Sequence, residues 1–362
     1  MCNLKKMSRT QTEFTILPAY NGDSILIKTF DENNEEFIIL VDGGTPSTFD
    51  YSLKKKITSI SKINLLVLTH IDSDHIGGLI RFFKNSLIDK IEIDEIWINQ
   101  PDSECDQTTN EKALISVSQT ENLKVLIKKK KPNSKIREIT IADNVINIKG
   151  LEFTILSPTV EIKDKFYEVY EKEKSLLKQE NLEVNISSST ADYSKSLKEL
   201  NEIDFKPHSS INADIYNSSS IAFILKCPDV KLLFLADSRA EIIIERLKQL
   251  GHNTENLLEV DYVKISHHGS LNNTSQKLLS LIKSNNYLIS TNGGTSSHKH
   301  PSRETIARIV HKKNREEKLL NIYTNYKIAD IKSRIGEFVN ENDLDIGNWN
   351  IEHKNTFTKN DI

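Results

Sequence analysis

Apolar residues along the chain fall in short runs separated by turn-forming residues. Runs at 14–17, 24–28 and 37–41 predict three strands, the third closed by Asp42-Gly43-Gly44. Residues 65–69 predict a largely apolar strand that stops abruptly at His70. Further strands are predicted at 96–99, 145–148, 153–156, 220–226, 231–235, 262–266, 287–290 and 321–324. Helical spacing predicts helices at 51–60, 76–85, 109–130, 240–250, 275–284 and 302–313. Strands and helices mix without strict alternation, and the consecutive opening strands predict antiparallel pairs. That favours sheets stacked between helix layers over a doubly wound fold.

Residues 159–216 break this pattern. They are charged, contain no glycine and show helical spacing at Phe166, Tyr167, Val169, Tyr170, Leu176 and Leu177. This predicts a helical insertion within a domain spanning 10–335, whose aromatic residues pack internally. The remaining 336–362 read as a polar, weakly patterned C-terminal tail.

Composition narrows the classes. Acidic residues number 51 and basic 48, a net charge of −3, so no chain-wide positive field gathers nucleic acid. The four-lysine run 128–131 before Pro132 reads as a solvated helix end that suits the helix dipole. No apolar run approaches the ~18 residues of a membrane span, and no apolar signal core follows the first residues. The three cysteines are scattered without C-x-x-C spacing, which points to a reducing cytoplasm rather than a disulfide framework.

Glycine is scarce, yet eight of the 12 lie at predicted strand ends, in loops that also hold six of the ten histidines. The densest of these loops reads Thr69-His70-Ile71-Asp72-Ser73-Asp74-His75-Ile76-Gly77-Gly78. Four potential ligands within six residues at a buried strand end are costly unless a cation neutralises them. The competing reading is a polar loop that caps the following helix through Asp74.

The segment His70-x-Asp72-x-Asp74-His75 resembles the metal-binding signature of the metallo-β-lactamase superfamily, with Asp72 where the commoner form has a second histidine. Asp42-Gly43-Gly44 is similar to that family's first motif. Leu232 to Asp237 resembles the strand ending in its bridging aspartate, and Lys264-Ile265-Ser266-His267-His268-Gly269-Ser270 its last histidine motif. Together with Gly22-Asp23-Ser24, Asn217 to Ser220 and His300-Pro301-Ser302, the set resembles the C-terminal hydrolase domain of the competence DNA-uptake channel ComEC and its free-standing cytosolic relatives. The resemblance implies a four-layer αββα sandwich of the metallo-β-lactamase type. It implies a metal-dependent phosphodiesterase, nuclease-like, acting on nucleic acid or a nucleotide. It also permits a bacterial defence context. Two divalent ions would be the cofactors, Zn²⁺ or Mn²⁺ with Mg²⁺ a further option, activating a hydroxide between them.

By resemblance, His70 and Asp72 serve the first ion, Asp74 and His75 the second with the last-motif histidine, and Asp237 bridges both. Either His267 or His268 fits that last place. His267, which ends the strand, is taken as the ligand, and His268 is placed with Asp74, Asp237 and His300 in catalysis. Ser270, His298 and Lys264 are the expected substrate contacts, although Lys264 on the opposite strand face could instead neutralise a carboxylate. No histidine occurs between His75 and His208, so the usual third-motif histidine is missing and the first site is oxygen-rich, which suits harder ions. The insertion is a candidate protein-partner surface. Competing functions are hydrolysis of a carboxylic ester, lactone or thioester, and a degenerate hydrolase fold serving as an interaction module.

Overall fold

The structure, a computed structural model, describes residues 11–101, 115–176, 193–294 and 299–361. The opening strands are β1 (Glu13–Ile16), β2 (Ile25–Phe30), β3 (Glu36–Val41), β4 (Lys62–Val67), β5 (Glu92–Trp97) and β6 (Lys135–Arg137). They form one sheet in chain order, antiparallel from β1 to β3 and parallel from β3 to β6. Then come β7 (Val145–Ile148), β8 (Leu151–Ser157), β9 (Ala222–Lys226), β10 (Lys231–Phe234), β11 (Leu258–Glu259), β12 (Tyr262–Lys264), β13 (Ile282–Lys283), β14 (Asn286–Ile289), β15 (Leu320–Thr324), β16 (Trp349–His353) and β17 (Thr356–Thr358). The second sheet runs β16-β15-β14-β12-β10-β9-β8-β7, while β11 and β13 pair apart.

Strands buried on both faces read as unbroken apolar runs. In β4, Leu65 and Val67 face the second sheet while Leu66 packs under helix Ser73–Lys84. In β10, Leu232 and Phe234 face the first sheet while Leu233 meets the helices Ala240–Gln249 and Arg303–Val310. The result is helix, sheet, sheet, helix, the expected four-layer sandwich. The ligand-bearing loops follow the C-terminal ends of β3, β4, β10 and β12 along one edge. No described helix is long and apolar enough to cross a membrane.

Three expectations change. The C-terminal segment is no tail: β17 pairs with β1 at the edge of the first sheet and β16 with β15 at the edge of the second. Phe357 stacks on Phe14 with ring centroids 5.0 Å apart, fully buried between the sheets. The helix expected over 275–284 is only Gln276–Leu279, after which β13 pairs with β11.

The insertion has two differently attached parts. Helix Val160–Leu176 carries Phe166 and Tyr170 into a small cluster with Ile71, Val117 and Ile215. Helix Leu197–Asn201, held by a Ser196–Glu199 capping box, sends Leu197 and Leu200 into the main core below the second sheet. The boundary 159–216 therefore does not separate an appendage, because its second half completes the core.

Candidate metal centre

The first sheet supplies one wall. Beyond β4, Thr69 donates to Asp42 through its backbone N–H at 2.8 Å and its hydroxyl at 2.7 Å. Asp42 Oδ2 also accepts from His75 Nδ1 at 2.8 Å. His70 Nδ1 lies 3.1 Å from the Thr69 hydroxyl, which already donates to Asp42 and so accepts here. One buried carboxylate thus orients two imidazoles, directly and through Thr69, and leaves each Nε2 lone pair facing inward.

Close backbone approach makes this possible. Gly43 N–H donates to His75 O and Gly78 N–H to Gly44 O, both at 2.8 Å. A Cβ on Gly78 would stand 1.8 Å from Gly43 O, so a side chain there would push the helix and His75 off Asp42. Asp72 occupies the N-cap position of helix Ser73–Lys84 but makes no capping bond with its side chain. Its Oδ2 instead faces His70 Nε2 at 3.7 Å. The capping alternative for this loop therefore does not account for its carboxylates: Asp74 Oδ2 accepts from Asn21 Nδ2 at 2.8 Å.

The second sheet supplies the other wall. Asp237 follows β10, and His267 and His268 follow β12 with φ of 47° and 54°. Consecutive left-handed non-glycine residues are strained, and such strain concentrates at functional sites. His268 Nδ1 donates to Ser290 O at 3.0 Å. His267 Nδ1 is 3.2 Å from Asn273 Oδ1, whose amide nitrogen donates to Asp237 O at 2.9 Å.

The two walls converge on Asp237. Its Oδ2 lies 3.5 Å from His75 Nε2 and His268 Nε2, 3.8 Å from His70 Nε2 and 3.9 Å from His267 Nε2. His268 Nε2 is also 3.7 Å from Asp74 Oδ2. These gaps exceed the ~3.2 Å limit of a good hydrogen bond. They lie near the roughly 3.4 Å that separates two donors each about 2.1 Å from one tetrahedral ion. The inward atoms His70 Nε2, His75 Nε2, His268 Nε2 and Asp237 Oδ1 are buried with no hydrogen-bond partner among the described residues. Among the described residues three donor groups arise, His70/His75/Asp237, Asp74/His75/His268 and Asp23/Asp237/His268, each with ligand atoms within 4.8 Å of one another. Of the two adjacent histidines, the geometry brings His268 into these groups. His267 stands at their rim, its side chain 27% exposed.

Charge tells the same story. Burial would raise the Asp237 carboxyl, but the imidazoles of His268, His267 and His75 outweigh it and hold it well below the usual carboxylate range. His75 is raised well above an ordinary imidazole because Asp237 and Asp42 overcome its burial, whereas burial and the His75 charge drive His70 well below. Adjacent groups forced into opposing protonation states are what a cation relieves, and imidazole Nε2 atoms with carboxylates are a donor set that divalent metals take.

The sequence profile of the Metallo-beta-lactamase superfamily matches residues 17–293. The chain belongs to the metallo-β-lactamase superfamily. That superfamily consists mostly of metal-dependent hydrolases, whose fold binds divalent metals, usually zinc. Among solved structures, a diphosphatase of the PhnP family is similar at 10% identity and a TM-score of 0.40, covering 96% of this chain and 97% of that one. Zinc-bound PqqB from Methylobacterium extorquens is similar at 10% identity and 0.38, over 95% and 99%. A putative metal-dependent hydrolase from Parabacteroides distasonis reaches 11% and 0.32, over 91% and 94%. No curated protein matches the chain.

The remaining site expectations separate by burial. Lys264 is 1% exposed and its Nζ lies 2.5 Å from Asp23 Oδ2, so it neutralises a carboxylate and cannot reach substrate. Ser270 is equally withdrawn: its hydroxyl accepts from Asn272 N–H at 3.3 Å inside a turn, so it too is no substrate contact. His300 lies with its ring centroid 5.5 Å from that of His267, at the open side of the centre. His298 lies outside the described residues. Sequence reasoning passed over Asn21 and the roles of Asp23 and Asn273. A polar residue beside Gly22 was the visible signal for the first two.

Proposed function

We propose that this protein is a two-metal phosphodiesterase, nuclease-like in substrate, cleaving a phosphodiester of nucleic acid or a nucleotide. The observation that carries this reading is the set of unpartnered, buried Nε2 and Oδ atoms gathered around Asp237. In this reading His70 and Asp72 would hold a first cation, Asp74, His75 and His268 would hold a second, and Asp237 would serve both. When bound, such a pair supplies Lewis acidity to a phosphoryl oxygen and lowers the pKa of water.

The chain's own groups do the rest. Asp42 keeps His70 and His75 turned inward, so their donor atoms need no rearrangement. His70, His75, Asp237 and His268 form a dry floor, while Asp72, Asp74 and His267, with side chains 33%, 24% and 27% exposed, form an open rim. A phosphodiester enters over that rim, where His267 and His300 can hydrogen-bond its oxygens. The carboxylate Asp72 in place of a histidine suits harder ions, so Mn²⁺ or Mg²⁺ joins Zn²⁺ as a competent metal.

The test is turnover of bis(p-nitrophenyl) phosphate, single- and double-stranded DNA and RNA with Mn²⁺, Mg²⁺ or Zn²⁺, beside a lactone, a thioester and a β-lactam. Metal-dependent cleavage of the diesters is expected. Hydrolysis confined to the carbonyl substrates would overturn the reading.

A further inference from the structure

The turn between β1 and β2, residues 20–24, reaches the metal centre beside Asp74 and His268, and no motif role accounts for how closely it does so. Gly22 lies so near the loop after β4 that a Cβ on it would be 1.8 Å from Asp74 O. On one side of Gly22, Asn21 donates its Nδ2 to Asp74 Oδ2 at 2.8 Å. On the other, Asp23 is 2% exposed and its Oδ1, which has no hydrogen-bond partner among the described residues, lies 3.6 Å from His268 Nδ1. The Lys264 ammonium, itself buried, holds Asp23 Oδ2 at 2.5 Å and so allows a carboxylate to stay charged there. Ser290, whose carbonyl accepts from His268, donates its hydroxyl to Gly22 O at 2.9 Å, which ties the turn to the same imidazole.

We propose that this turn is the positioning element of the second cation: Asn21 fixes the Asp74 carboxylate, and the Lys264-compensated Asp23 carboxylate together with Ser290 fixes His268. The inference rests on the metal-centre reading above, not on the identity of the substrate. Asp74 has two equivalent oxygens. Oδ2, the oxygen that faces His268 Nε2, is the one Asn21 holds, so rotation of the carboxylate is restricted and it would meet the ion without first being ordered. His268 is flanked by a carbonyl and a carboxylate at Nδ1, which keeps the proton on that nitrogen and the lone pair on Nε2. Gly22 is required because only a residue without a side chain lets both neighbours come this close. Asn21, Asp23 and Lys264 are positioning residues, and Asp23 and Lys264 are buried beneath the centre.

The experiment is metal affinity by chelator competition, with Co²⁺ absorption as the report on ligand geometry, on the full chain. The variants are Asn21→Ala and the pair Asp23→Asn/Lys264→Met, which removes the buried charge and its counter-charge together so that neither is left unpaired. Asn21→Gln is the conservative control. Asn21→Ala is expected to weaken the second Co²⁺ equivalent about 10-fold and the double variant by 10- to 100-fold. Both should change the visible spectrum, with the melting temperature of the metal-free protein nearly unchanged for Asn21→Ala and partial recovery in Asn21→Gln. Affinities and spectra equal to wild type in Asn21→Ala would overturn the proposal, as would a loss of affinity matched by an equal fall in metal-free stability. Failure to cleave any phosphodiester while these metal readouts shift as expected would sink the functional reading and leave this one standing.

Discussion

His75 and His268 have each Nδ1 committed to a buried acceptor, Asp42 Oδ2 and Ser290 O, and their partner Asp74 is held by Asn21. The other side of Asp237 is less constrained. His70 is oriented only through a threonine hydroxyl, Asp72 stands one-third exposed at the helix N-cap, and between His75 and β10 the sequence has no histidine except His208 within the insertion. Asn217 and Ser219, near where such a histidine would fall, are turned to local partners: Asn217 Nδ2 donates to Asp214 and Ser219 Oγ to Tyr216 O. Donors already fixed lose little entropy on binding, whereas half-free ones must be ordered. In the proposed two-metal centre the subsites would therefore differ in affinity, one prepared and one provisional.

Removing what the two subsites share should have the largest effect. Asp237→Ala is expected to lose both ions by elemental analysis and all hydrolysis, because the same carboxylate faces all four imidazoles. Retention of one tightly bound ion would mean that Asp237 serves a single subsite. Next comes Asp42→Asn, which keeps the shape but weakens the acceptor behind both His70 and His75. A fall of about 10- to 100-fold in metal affinity is expected, larger for the second ion because His75 bonds Asp42 directly; chelator competition reads it.

A third perturbation acts from the insertion. Arg239, two residues beyond Asp237 and fully buried, donates to Ser209 O, Asp214 and Glu241. Arg239→Met leaves two carboxylates without their cation and should cost about 3 kcal/mol in chemical denaturation, while metal stoichiometry at saturation stays at two. Loss of one ion in a folded protein would show that the insertion is part of the provisional subsite. The smallest change is a swap of selectivity: Asp72→His replaces an oxygen donor by an imidazole and should lower the ratio of Mn²⁺- to Zn²⁺-supported turnover several-fold. An unchanged ratio would mean that Asp72 does not reach the ion.

Much of the centre was legible because its residues cannot be explained otherwise. His70, Asp72, Asp74 and His75 crowd the end of an apolar strand, and Asp237 ends another. Which of His267 and His268 turns inward was not legible. Strand alternation assigns faces only while the backbone stays extended, and both residues adopt left-handed φ after β12 ends at Lys264. Lys264 was misplaced as a substrate contact because its partner Asp23 is 241 residues away in sequence. The C-terminal strands escaped notice because edge strands need few apolar residues: β17 buries Phe357 alone, and β16 only Trp349 and Ile351. The helix at Leu197 was signalled by Ser196 and Glu199 three apart, a capping box that the surrounding charge concealed.

The unequal-subsite account is tested most directly by calorimetric titration of the metal-free protein with Mn²⁺ and with Zn²⁺. It predicts two equivalents binding in separate steps, the second at least about 10-fold weaker, with Asp72→His narrowing the gap for Zn²⁺ and leaving the first step unchanged. Two equal, tight steps in the wild type, or a single equivalent that no ligand substitution on the Asp72 side affects, would contradict it.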